Sequence, residues 1–298
     1  METIAIVGSG LIGSSWAVLF ASAGHSVRLF DAAEGALERT KKYVTQTGHG
    51  EQSLLARISE SATLEDALRG ADYVQESITE TVAAKTAIFR EIDEFVRPHA
   101  VVASSSSSIR ASLFTADLQC RARCLIAHPL NPPHLLSLVE IVPAPWTDAT
   151  AVARAKRLLE GAGKSPIVLS REIPGFVVNR LQGALLHEAF RLVEDGTVSP
   201  QDIDIAMTQG LGLRWASIGP FEAIDLNAPG GIQDYARRYG AMFLELASER
   251  GSARPWSEEL VGKIAQLMRS TQALSREARE ALRDDRLRRC GSALRADE

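Results

Sequence analysis

The chain has 298 residues, 45% of them hydrophobic and 23% charged, which is the composition of a globular protein long enough for two domains. Its net charge of −4 argues against nucleic acid as a partner, and no apolar run approaches the roughly 18–20 residues that a membrane span requires. The sequence begins with strand-forming residues, so we expect a cytoplasmic protein. The three cysteines have neither disulfide nor zinc-site spacing, so we expect reduced thiols and no metal site.

The first half of the sequence alternates apolar runs with helix-like stretches. Residues 3–7 predict a first strand, a glycine-rich turn and a helix follow, and residues 26–30 predict a second strand. Strands that alternate with helices imply a parallel sheet covered on both faces. We therefore expect an α/β fold over residues 1–172, a Rossmann-type doubly wound sheet. Its further predicted elements are strands at 73–74, 100–103, 125–127 and 138–142 and a helix at 81–96.

From Pro174 onward the pattern is almost wholly helical, with an apolar stripe between Phe176 and Leu192. Glycines mark helix ends, and a serine before a proline marks a helix start. We therefore expect an all-α domain over residues 173–298, which carries substrate-binding and dimerisation surfaces. Its first predicted helix ends at Gly196, and the second begins after Ser199 and ends at Gly210.

A glycine motif between the first strand and the first helix predicts a dinucleotide site. Its first glycine permits the tight turn, its second lets a pyrophosphate approach the backbone, and its third allows close helix–strand packing. The helix that starts there offers free N–H groups to phosphates. An aspartate ends the next strand, where it can accept hydrogen bonds from a ribose and repel a 2′-phosphate, so NAD is favoured over NADP. The predicted contacts are Gly8, Gly10, Leu11, Ile12, Gly13 and Asp31.

A histidine and a glutamate on neighbouring strands form the candidate catalytic pair. His128 follows a predicted strand, at the carboxyl end where open α/β sheets bind ligands. Glu140 lies in the next apolar strand, where a carboxylate needs a partner, and the histidine one hairpin away is the candidate. Taken singly, His128 could be structural, Ser107 could be a helix N-cap and Asn179 could be a helix-surface residue.

Five motifs taken together resemble the L-3-hydroxyacyl-CoA dehydrogenase superfamily over nearly the whole chain. They are the glycine motif, Ser107, His128-x-x-Asn131-Pro132, Glu140 and Pro174-Gly175-Phe176-x-x-Asn179-Arg180. The resemblance implies that His128 removes the hydroxyl proton while hydride passes to NAD, and that Glu140 orients the histidine. It also implies that Ser107 and Asn179 hydrogen-bond the reacting oxygen, and that Glu80, Lys85 and Ser107 contact the cofactor. A general base is chemically required, because hydride cannot leave a carbinol carbon until the O–H proton is taken.

Three features indicate the branch that contains lambda-crystallin, an L-gulonate 3-dehydrogenase. The segment between Asp31 and Asp72 is too short for the helical hairpin that acyl-CoA enzymes place over CoA. Arg214-Trp215 stands where those enzymes have an apolar stretch, and residues 128–133 and 192–200 are similar to lambda-crystallin. The resemblance implies NAD-dependent oxidation of a free L-3-hydroxy acid by a homodimer. Its predicted substrate contacts are Ser107, Asn131, Asn179 and Arg214, with Arg214 on the substrate carboxylate.

Three alternatives stay open at this point. A short-chain L-3-hydroxyacyl-CoA dehydrogenase would use the same catalytic residues, and L-carnitine dehydrogenase shares the Gly-Leu-Arg-Trp-Ala sequence around Arg214. A crystallin-like, NAD-binding structural protein is the alternative without catalysis, although such a protein has no need of all four catalytic residues. Arg214 itself could form a structural ion pair instead of binding substrate.

Overall fold

A computed structural model describes residues 1–46, 52–249, 256–270 and 274–295. The chain forms two compact units, Met1–Leu181 and Gln182–Glu298. All predicted site residues except Arg214 therefore lie in the first unit. In the described ranges, no helix has the length and apolar character needed to cross a membrane.

The first unit is built on one eight-stranded sheet of order β3-β2-β1-β4-β5-β6-β7-β8. The first six strands are parallel to one another, as predicted. The order reverses at β1, which is where doubly wound sheets bind ligands. The strands are β1 (Thr3–Val7), β2 (Ser26–Phe30), β3 (Ile58–Glu60), β4 (Tyr73–Glu76), β5 (Val101–Ser104), β6 (Cys124–Pro129), β7 (Leu138–Pro143) and β8 (Ser165–Val168).

Helices cover both faces of this sheet, and the side chains of β1 show how. Ile4 and Ile6 belong to one apolar cluster and Ala5 and Val7 to the other, because successive side chains of a strand point to opposite faces. Each fully buried large apolar side chain contributes about 1.5–3 kcal/mol. The helices of this unit are α1 (Leu11–Ser22), α2 (Ala36–Gln46), α3 (Gln52–Leu55), α4 (Leu64–Leu68), α5 (Val82–Phe95), α6 (Ser112–Thr115) and α7 (Ala149–Gly161).

The last two strands run opposite to the first six, which agrees with the hairpin predicted between His128 and Glu140. Strand β7 runs antiparallel to β6, and β8 is parallel to β7. The reason is the short connection at residues 130–137, since a parallel crossover needs a dozen or more residues. The resulting register places His128 directly opposite Glu140.

Strands β3 and β8 were not among the predicted elements. Each is short and lies at an edge of the sheet, and each exposes part of its side chains. Strand β3 has neither an apolar run nor a clear alternation, and the short apolar run of β8 contains Pro166, which weakens the strand signal.

The second unit is helical, as predicted. Ser199 caps α9, since its hydroxyl accepts a hydrogen bond from the Asp202 amide, and Pro200 stands in the first turn. Its helices are α8 (Val178–Glu194), which begins in the first unit, α9 (Pro200–Ala206), α10 (Gly212–Ser217), α11 (Pro220–Leu226), α12 (Gly231–Glu249), α13 (Glu258–Ser270) and α14 (Arg276–Arg295). Helix α12 exposes several large apolar side chains, among them Tyr239, Met242, Phe243, Leu244 and Leu246.

Two predicted helix ends differ from the structure. Gly210 does not end a helix, because Met207–Leu211 forms a π-turn that continues into α10. A glycine inside a helix costs only about 1 kcal/mol, and Gly210 does not adopt the positive φ of a helix-ending glycine. The helix ends instead at Ser217, before Gly219 and Pro220. The other difference is at the start of α8. The predicted apolar stripe begins at Phe176, but the helix begins at Val178, and Phe176 before it has a φ of 52°.

Candidate active site

Two glycines of the turn between β1 and α1 leave no room for a side chain, and a third faces open space. A Cβ at Gly13 would lie 1.8 Å from the Gly8 carbonyl oxygen, and a Cβ at Gly8 would lie 2.7 Å from the Ser77 carbonyl oxygen. A Cβ at Gly10 would meet no protein atom within 4 Å. No side chain forms a capping hydrogen bond at Gly10, the N-cap of α1. The turn therefore fits a pyrophosphate at the N-terminus of α1.

Asp31 lies beside this turn, at the end of β2. Its Oδ2 accepts hydrogen bonds from the Ser9 amide and hydroxyl at 2.7 and 2.8 Å, and its Oδ1 accepts one from the Ala33 amide at 2.9 Å. Burial raises the pKa of Asp31, but these hydrogen bonds and the nearby Arg39 outweigh burial, so the pKa lies below its usual value. Asp31 is therefore ionised at neutral pH.

Lys85 is almost fully buried, unlike a residue at an open cofactor surface. Its Nζ lies 3.0 Å from both carboxylate oxygens of Glu76 and 3.2 Å from Glu80 Oε2. Sequence reasoning missed Glu76, although an acid that ends a buried strand indicates a need for a cation. Lys85 thus bridges Glu76 and Glu80, and a direct contact of Lys85 with the cofactor stays a prediction.

The serine run after β5 is held by Glu80. Its Oε1 accepts hydrogen bonds from the Ser106 hydroxyl at 2.6 Å and the Ser107 amide at 2.9 Å. Burial raises the pKa of Glu80, but the hydrogen bond from the Ser106 hydroxyl and the charge of Lys85 lower it by more. The pKa of Glu80 therefore lies below its usual value. Asn179 joins the same group, since its Nδ2 donates to the Ser107 carbonyl at 2.6 Å. The structure therefore brings Glu80, Ser107 and Asn179 together, with Ser107 exposed and Asn179 half-buried.

His128 and Glu140 form a buried pair across the β6–β7 register. The His128 Nδ1 lies 2.8 Å from Glu140 Oε2, and Glu140 is fully buried. Burial raises the pKa of Glu140, but the hydrogen bonds that it accepts outweigh burial and lower the pKa below its usual value. An ionised carboxylate can only accept, so Nδ1 carries the proton and Nε2 is the basic nitrogen of the neutral ring.

The second oxygen of Glu140 is bound by backbone at the start of α8. Its Oε1 accepts hydrogen bonds from the amides of Val177 at 2.8 Å and Val178 at 3.1 Å. Phe176, with its positive φ, is fully buried, and its ring centroid lies 5.7 Å from that of His128. Sequence reasoning missed these contacts, for which the Pro174-Gly175 turn is the available signal.

Asn131 and Arg214 take no part in these hydrogen bonds among the described residues. Asn131 is exposed in the β6–β7 connection, which Lys164 holds by donating to the carbonyls of Pro133 and Leu136. Burial lowers the pKa of Lys164 to about 8. Arg214 is exposed on α10 in the second unit, and the described residues give it no ion pair. The structural ion pair considered for Arg214 is therefore absent from the described ranges.

The chain matches two family descriptions over most of its length. Residues 3–173 match "3-hydroxyacyl-CoA dehydrogenase, NAD binding domain", and residues 175–272 match "3-hydroxyacyl-CoA dehydrogenase, C-terminal domain". These matches agree with the NAD cofactor, the Rossmann-type first half and the helical second half that the sequence predicted.

Individual proteins add detail to this match. The chain is 42% identical to a lambda-crystallin homolog of Bos taurus, over 89% of this chain and 86% of that protein. It is 37% identical to an L-carnitine dehydrogenase of Streptomyces coelicolor, over 80% and 78%. A solved structure of 5-formyl-3-hydroxy-2-methylpyridine 4-carboxylic acid 5-dehydrogenase has a TM-score of 0.81 and 26% identity, over 99% and 98%.

Two glycine substitutions should separate packing from cofactor binding. Gly13→Ala places its Cβ 1.8 Å from a carbonyl oxygen, so we expect the free energy of unfolding to fall by about 1–3 kcal/mol or more. Gly10→Ala meets no protein atom, so we expect an unchanged melting temperature and NAD affinity that is roughly 10- to 150-fold weaker. Thermal unfolding and calorimetric NAD titration measure the two effects. Normal NAD affinity in Gly10→Ala would contradict the phosphate assignment.

Proposed function

The chain belongs to the 3-hydroxyacyl-CoA dehydrogenase family, and we propose that it oxidises the 3-hydroxyl of a free L-3-hydroxy acid of the L-gulonate type to the 3-keto acid. The family and the similar proteins indicate an NAD-dependent dehydrogenase that acts on a hydroxyl group. The observation that carries the mechanism is the 2.8 Å hydrogen bond between His128 Nδ1 and the buried carboxylate of Glu140.

His128 serves as the general base in this proposal. Its Nε2 takes the hydroxyl proton, which allows the C–H bond to break with its electron pair. NAD, when bound, accepts that hydride. The imidazolium formed on His128 is stabilised by the ionised Glu140, which holds the ring in one orientation and one tautomer throughout.

Ser107 and Asn179 hold the reacting oxygen in this proposal. Ser107 is exposed and Asn179 is half-buried, and each takes part in a hydrogen bond that fixes its position. The Ser107 amide donates to Glu80, and the Ser107 carbonyl accepts from Asn179. Preorganised hydrogen-bond donors of this kind stabilise the charge that develops on oxygen as its proton leaves.

A free acid is proposed over a CoA ester because of Arg214 and two relatives. Arg214 is an exposed guanidinium without an ion-pair partner in the described ranges, and such a group can bind a carboxylate through two parallel hydrogen bonds. L-carnitine and the pyridine carboxylic acid named for two similar proteins both carry a free carboxylate. These observations support a carboxylate-bearing substrate for this chain.

The substrate proposal is tested by following NADH formation with four substrates. They are L-gulonate, L-carnitine, L-3-hydroxybutyrate and L-3-hydroxybutyryl-CoA. We expect a free acid to give the highest kcat/KM, with L-gulonate first. A preference for the CoA ester would overturn the free-acid proposal, and NAD binding without any turnover would favour the structural alternative.

Removal of the proposed base should affect turnover and leave cofactor binding intact. We expect His128→Ala to lower kcat by roughly 10²- to 10⁴-fold, the usual contribution of a positioned general base. Glu140→Gln should give a loss of similar order, because an amide no longer fixes the tautomer. The NAD affinity, measured by calorimetry, should stay near the wild-type value in both variants.

His99 provides the matched control for this prediction. Its side chain is 55% exposed, and it lies outside the pair, so His99→Ala should keep wild-type turnover. Near-normal turnover of a folded His128→Ala protein would mean that another group accepts the proton.

Arg214→Met should raise the KM for the free acid. Losing one charge-assisted hydrogen bond of about 1.5–3 kcal/mol weakens binding roughly 10- to 150-fold. Arg214→Lys should restore only part of the affinity, since an ammonium lacks the planar pair of donors. Turnover should fall too, because the carboxylate positions the carbinol carbon. Steady-state kinetics on the acid and on its methyl ester separate these effects.

The ester is the deciding comparison for Arg214. Arg214→Met should leave the kinetics with the ester nearly unchanged. Arg237→Met, which removes an exposed arginine of the same unit, should leave the kinetics with the acid nearly unchanged. Equal damage to acid and ester would mean that Arg214 is structural.

A further inference from the structure

An arginine that sequence analysis did not single out lies beside the cofactor-selecting aspartate. Arg39, in the first turns of α2, has its Nη2 3.3 Å from Asp31 Oδ2. Its side chain is 40% exposed, so a ligand at the end of β2 can reach it. The chain therefore carries an acid and a guanidinium at the position where Rossmann domains distinguish a ribose hydroxyl from a 2′-phosphate.

Several contacts fix Arg39 in this position. Its Nε and Nη2 donate to Ser9 Oγ at 3.2 and 2.8 Å, and Ser9 lies inside the glycine turn. Its Nη1 and Nη2 donate to the carbonyls of Glu34 and Ala33, in the loop between β2 and α2. The guanidinium is thus bound on one side by the glycine turn and on the other by the loop that would surround a 2′-phosphate.

Asp31 and Arg39 act in opposite directions on a 2′-phosphate. The Asp31 carboxylate is ionised and repels it, while the positive charge of the Arg39 guanidinium attracts it. Their contact partly neutralises each charge, so neither effect is fully expressed. Removal of the Asp31 carboxylate leaves the Arg39 guanidinium without its ion-pair partner and next to the space that the carboxylate occupied.

We propose that Arg39 is a specificity-determining residue for the cofactor, and that Asp31 alone prevents it from binding the 2′-phosphate of NADP. One substitution at Asp31 therefore transfers preference towards NADP without any new cation. The proposal concerns nucleotide binding only, and it holds whichever hydroxy acid is the substrate.

The test is calorimetric titration of NAD and NADP into the purified full chain without any hydroxy acid. We expect Asp31→Ala to bind NADP roughly 10- to 100-fold more tightly than the wild type does. Adding Arg39→Met to that variant should remove most of the gain and leave only the part that comes from the lost repulsion by Asp31. The NADP affinity of Asp31→Ala should also fall with added salt more steeply than its NAD affinity, because the contact is ionic and exposed.

Two further variants serve as controls for charge and for folding. Lys41→Met removes another exposed cation of α2, and in the Asp31→Ala background it should leave the gained NADP affinity intact. Asp31→Asn removes the charge but keeps an oxygen that can accept from the Ser9 amide, so it serves if Asp31→Ala has a lowered melting temperature. A folded Asp31 variant without tighter NADP binding, or a gain that Arg39→Met leaves undiminished, would overturn the proposal.

Discussion

The carboxylate of Glu140 is fully buried, and the candidate catalytic site is arranged around that constraint. Breaking a buried charge pair costs about 3–5 kcal/mol, so each oxygen needs its partners. One oxygen binds His128 on β6, and the other binds the Val177 and Val178 amides at the start of α8. A single charge therefore fixes three chain segments, and because it only accepts hydrogen bonds it also fixes the proton on Nδ1 of the histidine.

The features that the sequence predicted well are those set by backbone geometry over short distances. The glycine motif is one, since a Cβ at Gly13 would meet the Gly8 carbonyl oxygen within the turn itself. The pairing of His128 with Glu140 is another, because a short connection between two apolar strands produces an antiparallel register. The alternation of strands and helices similarly indicated the doubly wound fold, apart from the two exposed edge strands.

The features that the sequence did not predict depend on side chains that meet only after folding. Five consecutive serines look alike in the sequence, yet Ser104 contacts Glu76, Ser106 contacts Glu80, and Ser107 is exposed. Arg39 has no signal of its own, because its contact with Ser9 joins positions 30 residues apart. Gly210 misled for a related reason, since a glycine is compatible with a helix end but does not require one.

Asp31 and Glu80 follow the carboxyl ends of two parallel strands, and Glu140 lies opposite His128 near the carboxyl end of β6. Backbone amides bind Asp31, Glu80 and Glu140, and each has a pKa below its usual value. All three are therefore ionised at neutral pH and give this edge of the sheet a negative charge. The cations beside them are already engaged, Lys85 by Glu76 and Glu80 and Arg39 by Asp31. A substrate that is itself a carboxylate therefore needs a further cation, and the proposed function gives that role to Arg214.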